Sequence, residues 1–518
     1  MAQILTAPAS STTNPTPAPA PGATVTSPVR RWIALAVLML PVLLVSIDNT
    51  VLSFALPQIS AALEPGGTQL LWIVDAYSLV LAGLLVPMGS VADRVGRRRL
   101  LLTGAVGFAA VSALAAFAPS AGALVVARAA LGFFGAMLMP SALSLLRNVF
   151  TDRAERRLAI AVFASAFAAG SAVGPIVGGV LLEHFWWGSV FLLAVPVLVL
   201  LGILAPIFVP ESRDPAPGRV DPLSVVLVMA AMLAVVLGIK TLAKGDLLGL
   251  AELTVGLGIG AVFVRRQLGR PDPMLDVRLF THAAFTGSVL VNLLSVFALV
   301  GFLFFVSQDL QLVIGLSPVQ AGLVLVPGTI TTVVAGLSVV RIVRRVRPAV
   351  IVAAGLCVSA TGYLVTALVA GRGEAGWIAV AFVVLALGVG MAETISNDLI
   401  VSTVPAAKAG AASAISETAY EVGAVLGTAV LGGILTASYH AAVRVPDGVT
   451  PAEAARAAET LGGATNVAAD LPADQASALL GSAHAAFGSG VVTTSVIGFV
   501  AVLGAAAIAL TTLRRATS

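Results

Sequence analysis

Gly89–Arg99 reads GSVADRVGRRR: one aspartate, Asp93, and four arginines, Arg94, Arg97, Arg98 and Arg99, set into eleven residues. On either side lie apolar stretches, near 70–91 and 100–117, each close to the roughly 20 residues a helix needs to cross a bilayer. The segment therefore reads as a short charged turn between two crossing helices. It has a second copy. Gly336–Arg347 reads GLSVVRIVRRVR, and Gly89, Arg94, Arg97 and Arg98 align in register with Gly336, Arg341, Arg344 and Arg345. Another echo pairs SAVGPIVGG (171–179) with YEVGAVLGT (420–428), so that Gly174 and Gly178 match Gly423 and Gly427. Internal repeats of this kind belong to transporters built from two similar bundles around a midplane site.

Composition agrees with a membrane class. Of 518 residues, 58% are hydrophobic and 10% charged, with a mean hydropathy of +1.02, against about 25% charged in soluble domains. Fourteen apolar runs are long enough to span, and none alternates with period two, so helices rather than barrel strands are expected. Of the 29 Lys and Arg, 23 fall in segments on the side of both termini and five on the other, Lys240 and Lys244 among them. Arg128 alone lies inside a span. That asymmetry predicts cytoplasmic N- and C-termini. It also explains the basic pI without nucleic acid.

The predicted fold is an all-α membrane protein of two six-helix bundles plus two extra transmembrane helices. Residues 1–29, uncharged and rich in Pro, Ala, Ser and Thr, read as a disordered cytoplasmic tail. Residues 30–209 form the first bundle, 222–265 the two inserted helices, and 284–512 the second bundle with a long extracellular loop at 437–485. In that loop Thr450 and Glu453 make a capping box with Pro451 at the first helical position and Gly462 near the end; a second helix starts around Pro472. The loop is either an outer lid or a solvated connector.

Charges inside spans mark function by default, because they are costly there. Asp48 follows sixteen uncharged residues in SIDNTVLSFALP (46–57). Asp75 lies near the outer end of the second span, and Glu417 and Glu421, i and i+4, share one face of the thirteenth. Glu393 in the twelfth is a lesser candidate. Set against Arg128, these leave a net acidic interior suited to a lipophilic cation or a proton. Burial disfavours a carboxylate's charge, so the two ligands would compete for the same groups. Tyr77, Tyr420, Trp72 and Phe54 offer either cation–π surface or packing.

Together these motifs resemble the major facilitator superfamily. GSVADRVGRRR is similar to its cytoplasmic loop signature, Arg128 with ALGFFGAMLMP to its fourth-helix motif, and AAGSAVGPIVGG to its antiporter motif. SIDNTVLSFALP is similar to the first-helix motif of the fourteen-helix drug:proton antiporters. The second loop copy departs by having Val340 where the first has Asp93. The resemblance implies a pump for quaternary ammonium compounds, dyes such as ethidium, and fluoroquinolones. An exporter of an endogenous metabolite or lipid on the same fold is the alternative. Substrate or proton sites would be Asp48, Asp75, Glu417, Glu421 and Glu393. Asp93, Arg94, Arg97, Arg98 and Arg128 would serve gating and coupling. Gly170, Gly174, Pro175, Gly178 and Gly179 would form a smooth helix surface for bundles that rock.

Four scattered histidines, one cysteine and the lack of a P-loop, H-E-x-x-H or nucleophile elbow argue against an enzyme or an ATP-driven pump. No cofactor is expected beyond the proton as coupling ion, and no metal. The expected partners are small cationic drugs, protons and the lipid bilayer, not nucleic acid, with the monomer functional in a bacterial inner membrane.

Overall fold

A computed structural model describes residues 27–214, 221–271, 273–404 and 409–514. The tail expected over 1–29 lies outside the described residues as far as residue 26. Ser27 already caps the first helix, accepting from the Arg30 amide, with Pro28 in its first turn.

Fourteen described helices are long and apolar enough to cross a membrane. They are α1 (Pro28–Leu63), α2 (Gly67–Val95), α3 (Arg97–Ala115), α4 (Ala121–Val149), α5 (Arg153–His184), α6 (Ser189–Phe208) and α7 (Pro222–Ala243). The rest are α8 (Leu248–Leu268), α9 (Ala283–Val313), α10 (Pro318–Ile342), α11 (Pro348–Val369), α12 (Ala375–Ser402), α13 (Ala411–Ala442) and α14 (Ala473–Thr512). The ends are set by local chemistry. Ser317 and Gln320 make a capping box ahead of α10, and Asp152 caps α5 through two backbone amides.

α1 packs on α5 and α6, and α4 lies between α2 and α3. In the second half, α9 contacts α12, α13 and α14, while α12 also packs on α10 and α11. The halves meet mainly where α5 crosses α10 and α2 crosses α13. α7 and α8 pair with each other, and α7 leans on α2 and α13. Only 22% and 17% of their apolar windows are buried, so these two helices present most of their side chains to lipid. Their entry is pinned by Asp221, which accepts from Arg266 at 3.0 Å and from Ser224.

Two helices depart from regular α geometry. α9 closes in a π-helical turn at Asp309–Val313, and α13 is interrupted by one at Gly427–Gly432. Such wide turns inside membrane helices collect at functional positions. Neither is visible in hydropathy.

Candidate functional site

α1, α2 and α4 bring three predicted residues together. Arg128, 2% exposed, donates to Asp48 at 2.9 Å and to the Ile73 carbonyl at 3.1 Å, with its guanidinium 4.6 Å from the centre of the Tyr77 ring. Asp48 is therefore neutralised by a partner 80 residues away. A buried pair in which both ions are hydrogen-bonded is tolerated, whereas either ion alone is strongly disfavoured. Tyr77 spends its cation–π face on this internal cation rather than on a substrate.

Facing this pair from the other bundle is an acidic cluster on α12 and α13. Glu393, Glu417 and Glu421 lie within Coulombic reach in sequence, Glu393 by Glu417 and Glu417 by Glu421, with Tyr420 beside all three. Tyr420 also meets Phe167 of α5 edge-on, ring centres 5.9 Å apart, which carries the cluster across the bundle interface. Glu421 is buried against Asn49 of α1 and Ser78 of α2, and one of its carboxylate oxygens has no hydrogen-bond partner in the protein. Glu417 sits mid-helix on the same face as Glu421 and keeps accessible surface. No ion pair is formed by any of the three among the described residues. One helical turn separates Glu417 from Glu421, and at about 6 Å and an effective dielectric of about 20 two like charges repel by about 3 kcal/mol. A cation or a proton placed between them relieves that repulsion.

Asp75 is placed differently from expectation. Lys240, assigned from sequence to an outer loop, lies in the last turn of α7 with its ammonium 2.7 Å from Asp75, the two side chains 2% and 1% exposed. The same ammonium stands 3.7 Å from the centre of the Trp72 ring. Arg128 is thus not alone among basic residues inside a span, and the interior acids are partly compensated. The hydropathy window ended at the lysine, but the helix runs on to Ala243. A lysine one turn before Lys244, at a depth matching Asp75, was the available signal.

The loop motif forms a bracket within the first six helices. Arg97 bridges from α3 to Asp93 at the end of α2 at 2.7 Å, and Arg98 donates to the carbonyls of Val209 and Pro206 at the end of α6. Glu211, overlooked in the sequence, accepts from the amides of Arg98 and Arg99. It crowns the first turn of α3, where a carboxylate meets the helix's unsatisfied amides.

The motif glycines serve two neighbours. Gly170, Gly174 and Gly178 face α1, where a Cβ on Gly174 would overlap Thr50. Gly179 turns to α10: a Cβ there would stand 2.8 Å from the Val319 Cα, and a Cβ on Gly322 would stand 2.5 Å from the Pro175 carbonyl oxygen. Small residues at these points let backbones touch, which is how helices associate where no hydrophobic drive separates them from lipid.

At the end of the bundles where α13 and α14 are joined, the halves are tied. Glu183 of α5 accepts from the Ser317 hydroxyl at 2.9 Å, and Gln311 donates to the Phe54 carbonyl. The joining loop is ordered into helices Pro451–Glu459 and Leu461–Ala469, the first carrying the expected capping box but ending before Gly462. The expected helix near Pro472 begins at Ala473 and continues without a break as α14. Within the loop Arg456 meets Glu64 at 2.9 Å, Glu459 accepts from the Gly67 amide, and Asn466 donates to the Ala61 carbonyl. It is therefore seated on the ends of α1 and α2 rather than being a free connector.

A family model of the Major Facilitator Superfamily matches residues 38–428. The sequence is 58% identical over 494 residues to the multidrug efflux pump LfrA of Mycolicibacterium smegmatis, covering 95% of this chain and 98% of that protein. It is 38% identical over 468 residues to the methyl viologen resistance protein SmvA of Salmonella typhimurium, covering 88% and 93%. Among solved structures, a bacterial homologue of the human lysosomal transporter Spinster, inward-facing and occupied, superposes with a TM-score of 0.69 at 16% identity over 94% of this chain and 98% of that one; this likeness speaks for the fold.

Proposed function

The chain belongs to the Major Facilitator Superfamily, and we propose that it exports lipophilic cationic drugs in exchange for protons. It is a multi-pass membrane transporter, not an enzyme. The observation that carries the reading is the unpaired cluster Glu393, Glu417 and Glu421, gathered at the meeting of the bundles while Arg128 and Lys240 are engaged by Asp48 and Asp75. An acidic, partly dry site attracts a hydrophobic cation and holds a proton equally well, and one displaces the other. The names of the relatives, a multidrug efflux pump and a methyl viologen resistance protein, fit such cargo.

In this mechanism the cation enters from the cytoplasm while the loop-bearing outer face is tied by Glu183–Ser317 and by the seated loop. Rocking about the α5/α10 and α2/α13 contacts then exposes the cluster outward. A proton arriving from outside replaces the cation, and its release to the cytoplasm resets the cycle. The site lies in a bacterial inner membrane with both termini cytoplasmic, and quaternary ammonium compounds, ethidium and fluoroquinolones are its substrate class. Ethidium should accumulate in everted vesicles with an acidic lumen and stop accumulating when a protonophore is added. Accumulation that ignores the gradient and requires ATP refutes the proposal.

A further inference from the structure

Buried polar side chains gather inside the second bundle, on the side of the acidic cluster away from the loop 437–485. Asn292 of α9 donates to the carbonyl and hydroxyl of Ser416 at 3.1 and 3.2 Å, and the Ser416 hydroxyl donates in turn to Asn397 of α12. Three helices are thereby linked one residue from Glu417 and one turn from Glu393. Ser288, Asn292 and Ser295, at i, i+4 and i+7, share a face of α9, while Glu393, Ser396 and Asn397 share a face of α12. Because Asn292 meets Ser416 and Ser416 meets Asn397, these two faces are turned toward one another.

The hydroxyls of Ser288, Ser295 and Ser396 and the Asn292 amide oxygen are fully buried and find no partner in the protein. Hydroxyls in membrane helices ordinarily bond the carbonyl one turn back, as Thr394 does with Gly390 at 2.8 Å. Leaving each of these four groups unsatisfied carries the full desolvation penalty of a buried polar group without a hydrogen bond. Water molecules bridging them remove that cost, and the several polar partners on facing helices are what a buried water requires. Ser288 lies five residues, roughly 8 Å, from the start of α9, so the column reaches toward the face opposite the loop.

We propose that this Asn292–Ser416–Asn397 column, with Ser288, Ser295 and Ser396, is a hydrated conduit carrying protons between Glu393/Glu417 and the cytoplasmic face, apart from the cleft that admits the drug. The inference rests on the proton-exchange reading above. No bond other than O–H changes: a proton leaves a glutamic acid, passes along water and hydroxyl oxygens, and enters the cytoplasm, leaving the carboxylate free for the next cation. The asparagines hold the waters and do not ionise. Separating the two routes lets the proton leave by one path while the next cation approaches by the other.

The test is Asn292→Leu and Asn397→Leu in proteoliposomes, with Asn292→Ser and Asn397→Ser as variants that keep room and polarity for water. Each leucine variant should slow pH-gradient-driven ethidium transport by at least about tenfold, less than the roughly hundredfold or more that losing a group which itself transfers the proton costs, because the asparagines only hold the waters. Ethidium affinity and ethidium:ethidium exchange without a gradient, which need no net proton release, should stay at wild-type levels. The serine variants should restore the driven rate. If exchange and affinity fall in parallel with driven transport, the column is structural and the proposal is overturned. Wild-type driven rates in both leucine variants overturn the conduit alone. Failure of the unmodified protein to respond to a pH gradient overturns the exchange reading beneath it.

Discussion

Lys240→Met is the most direct probe of how this protein tolerates charge in the membrane. Lys240 and Asp75 are 2.7 Å apart, almost wholly buried, and the lysine is also held by the Trp72 ring. Methionine matches the length of the stem but leaves Asp75 buried without its partner, which for such pairs costs about 3–5 kcal/mol. The lost cation–π contact, about 0.5–2 kcal/mol, is part of that figure. At 1.36 kcal/mol per decade the folding equilibrium shifts by about two to four powers of ten. Replacing both members, Asp75→Leu with Lys240→Met, removes both desolvation costs and should return stability to within about 1 kcal/mol of the parent. The assay is reversible SDS unfolding in mixed micelles for parent, both single variants and the double variant, read as a thermodynamic cycle. The coupling between the two positions should come out at about 2 kcal/mol or more. A single variant as stable as the parent, or a double variant as weak as the worse single, refutes the view that this pair is a mutually dependent anchor between α2 and α7.

Three further outcomes follow from the same geometry. Glu417→Gln and Glu421→Gln should each lower resistance to a dication such as methyl viologen more than to monovalent ethidium, checked by inhibitory concentrations at matched expression; equal losses would assign the pair to proton coupling alone. Gly179→Val places a side chain against the α10 backbone beside the Glu183–Ser317 tie and should cut transport at least about tenfold while membrane levels hold, because α5 and α10 must close this tightly at the outer end in each cycle; normal efflux would show that so close an approach is not needed. Hydrogen bonds from Arg266 and Ser224 hold the Asp221 carboxyl below the ordinary carboxylate range. Its stabilisation is therefore full at neutral pH and is lost as pH falls through that lowered value. The melting-temperature gap between parent and Asp221→Asn should be widest near neutrality and close in strong acid; a gap that widened with acid would reverse the assignment.

Fourteen helices, their apolar lengths and the Gly/Arg repeat were legible in the chain because each depends on near neighbours. Hydropathy over about 20 residues decides whether a helix can enter the membrane. The Thr450–Glu453 capping box is settled within a single turn and was correctly placed. The face shared by Glu417 and Glu421 follows from helical periodicity alone. What the charges pair with did not follow. Asp48 read as a substrate or proton site and proved to be held by Arg128, and Lys240 read as an outer-loop residue and proved to be the buried partner of Asp75. The Asn292–Ser416–Asn397 link joins three helices whose sequences, taken singly, show only serines and asparagines in apolar runs. Local periodicity sets which residues share a face, whereas the free energy of a buried charge or amide depends on what an adjacent helix presents at the same depth. That adjacency is set by backbone contacts such as Gly179 on Val319 and exists only once the bundles are packed.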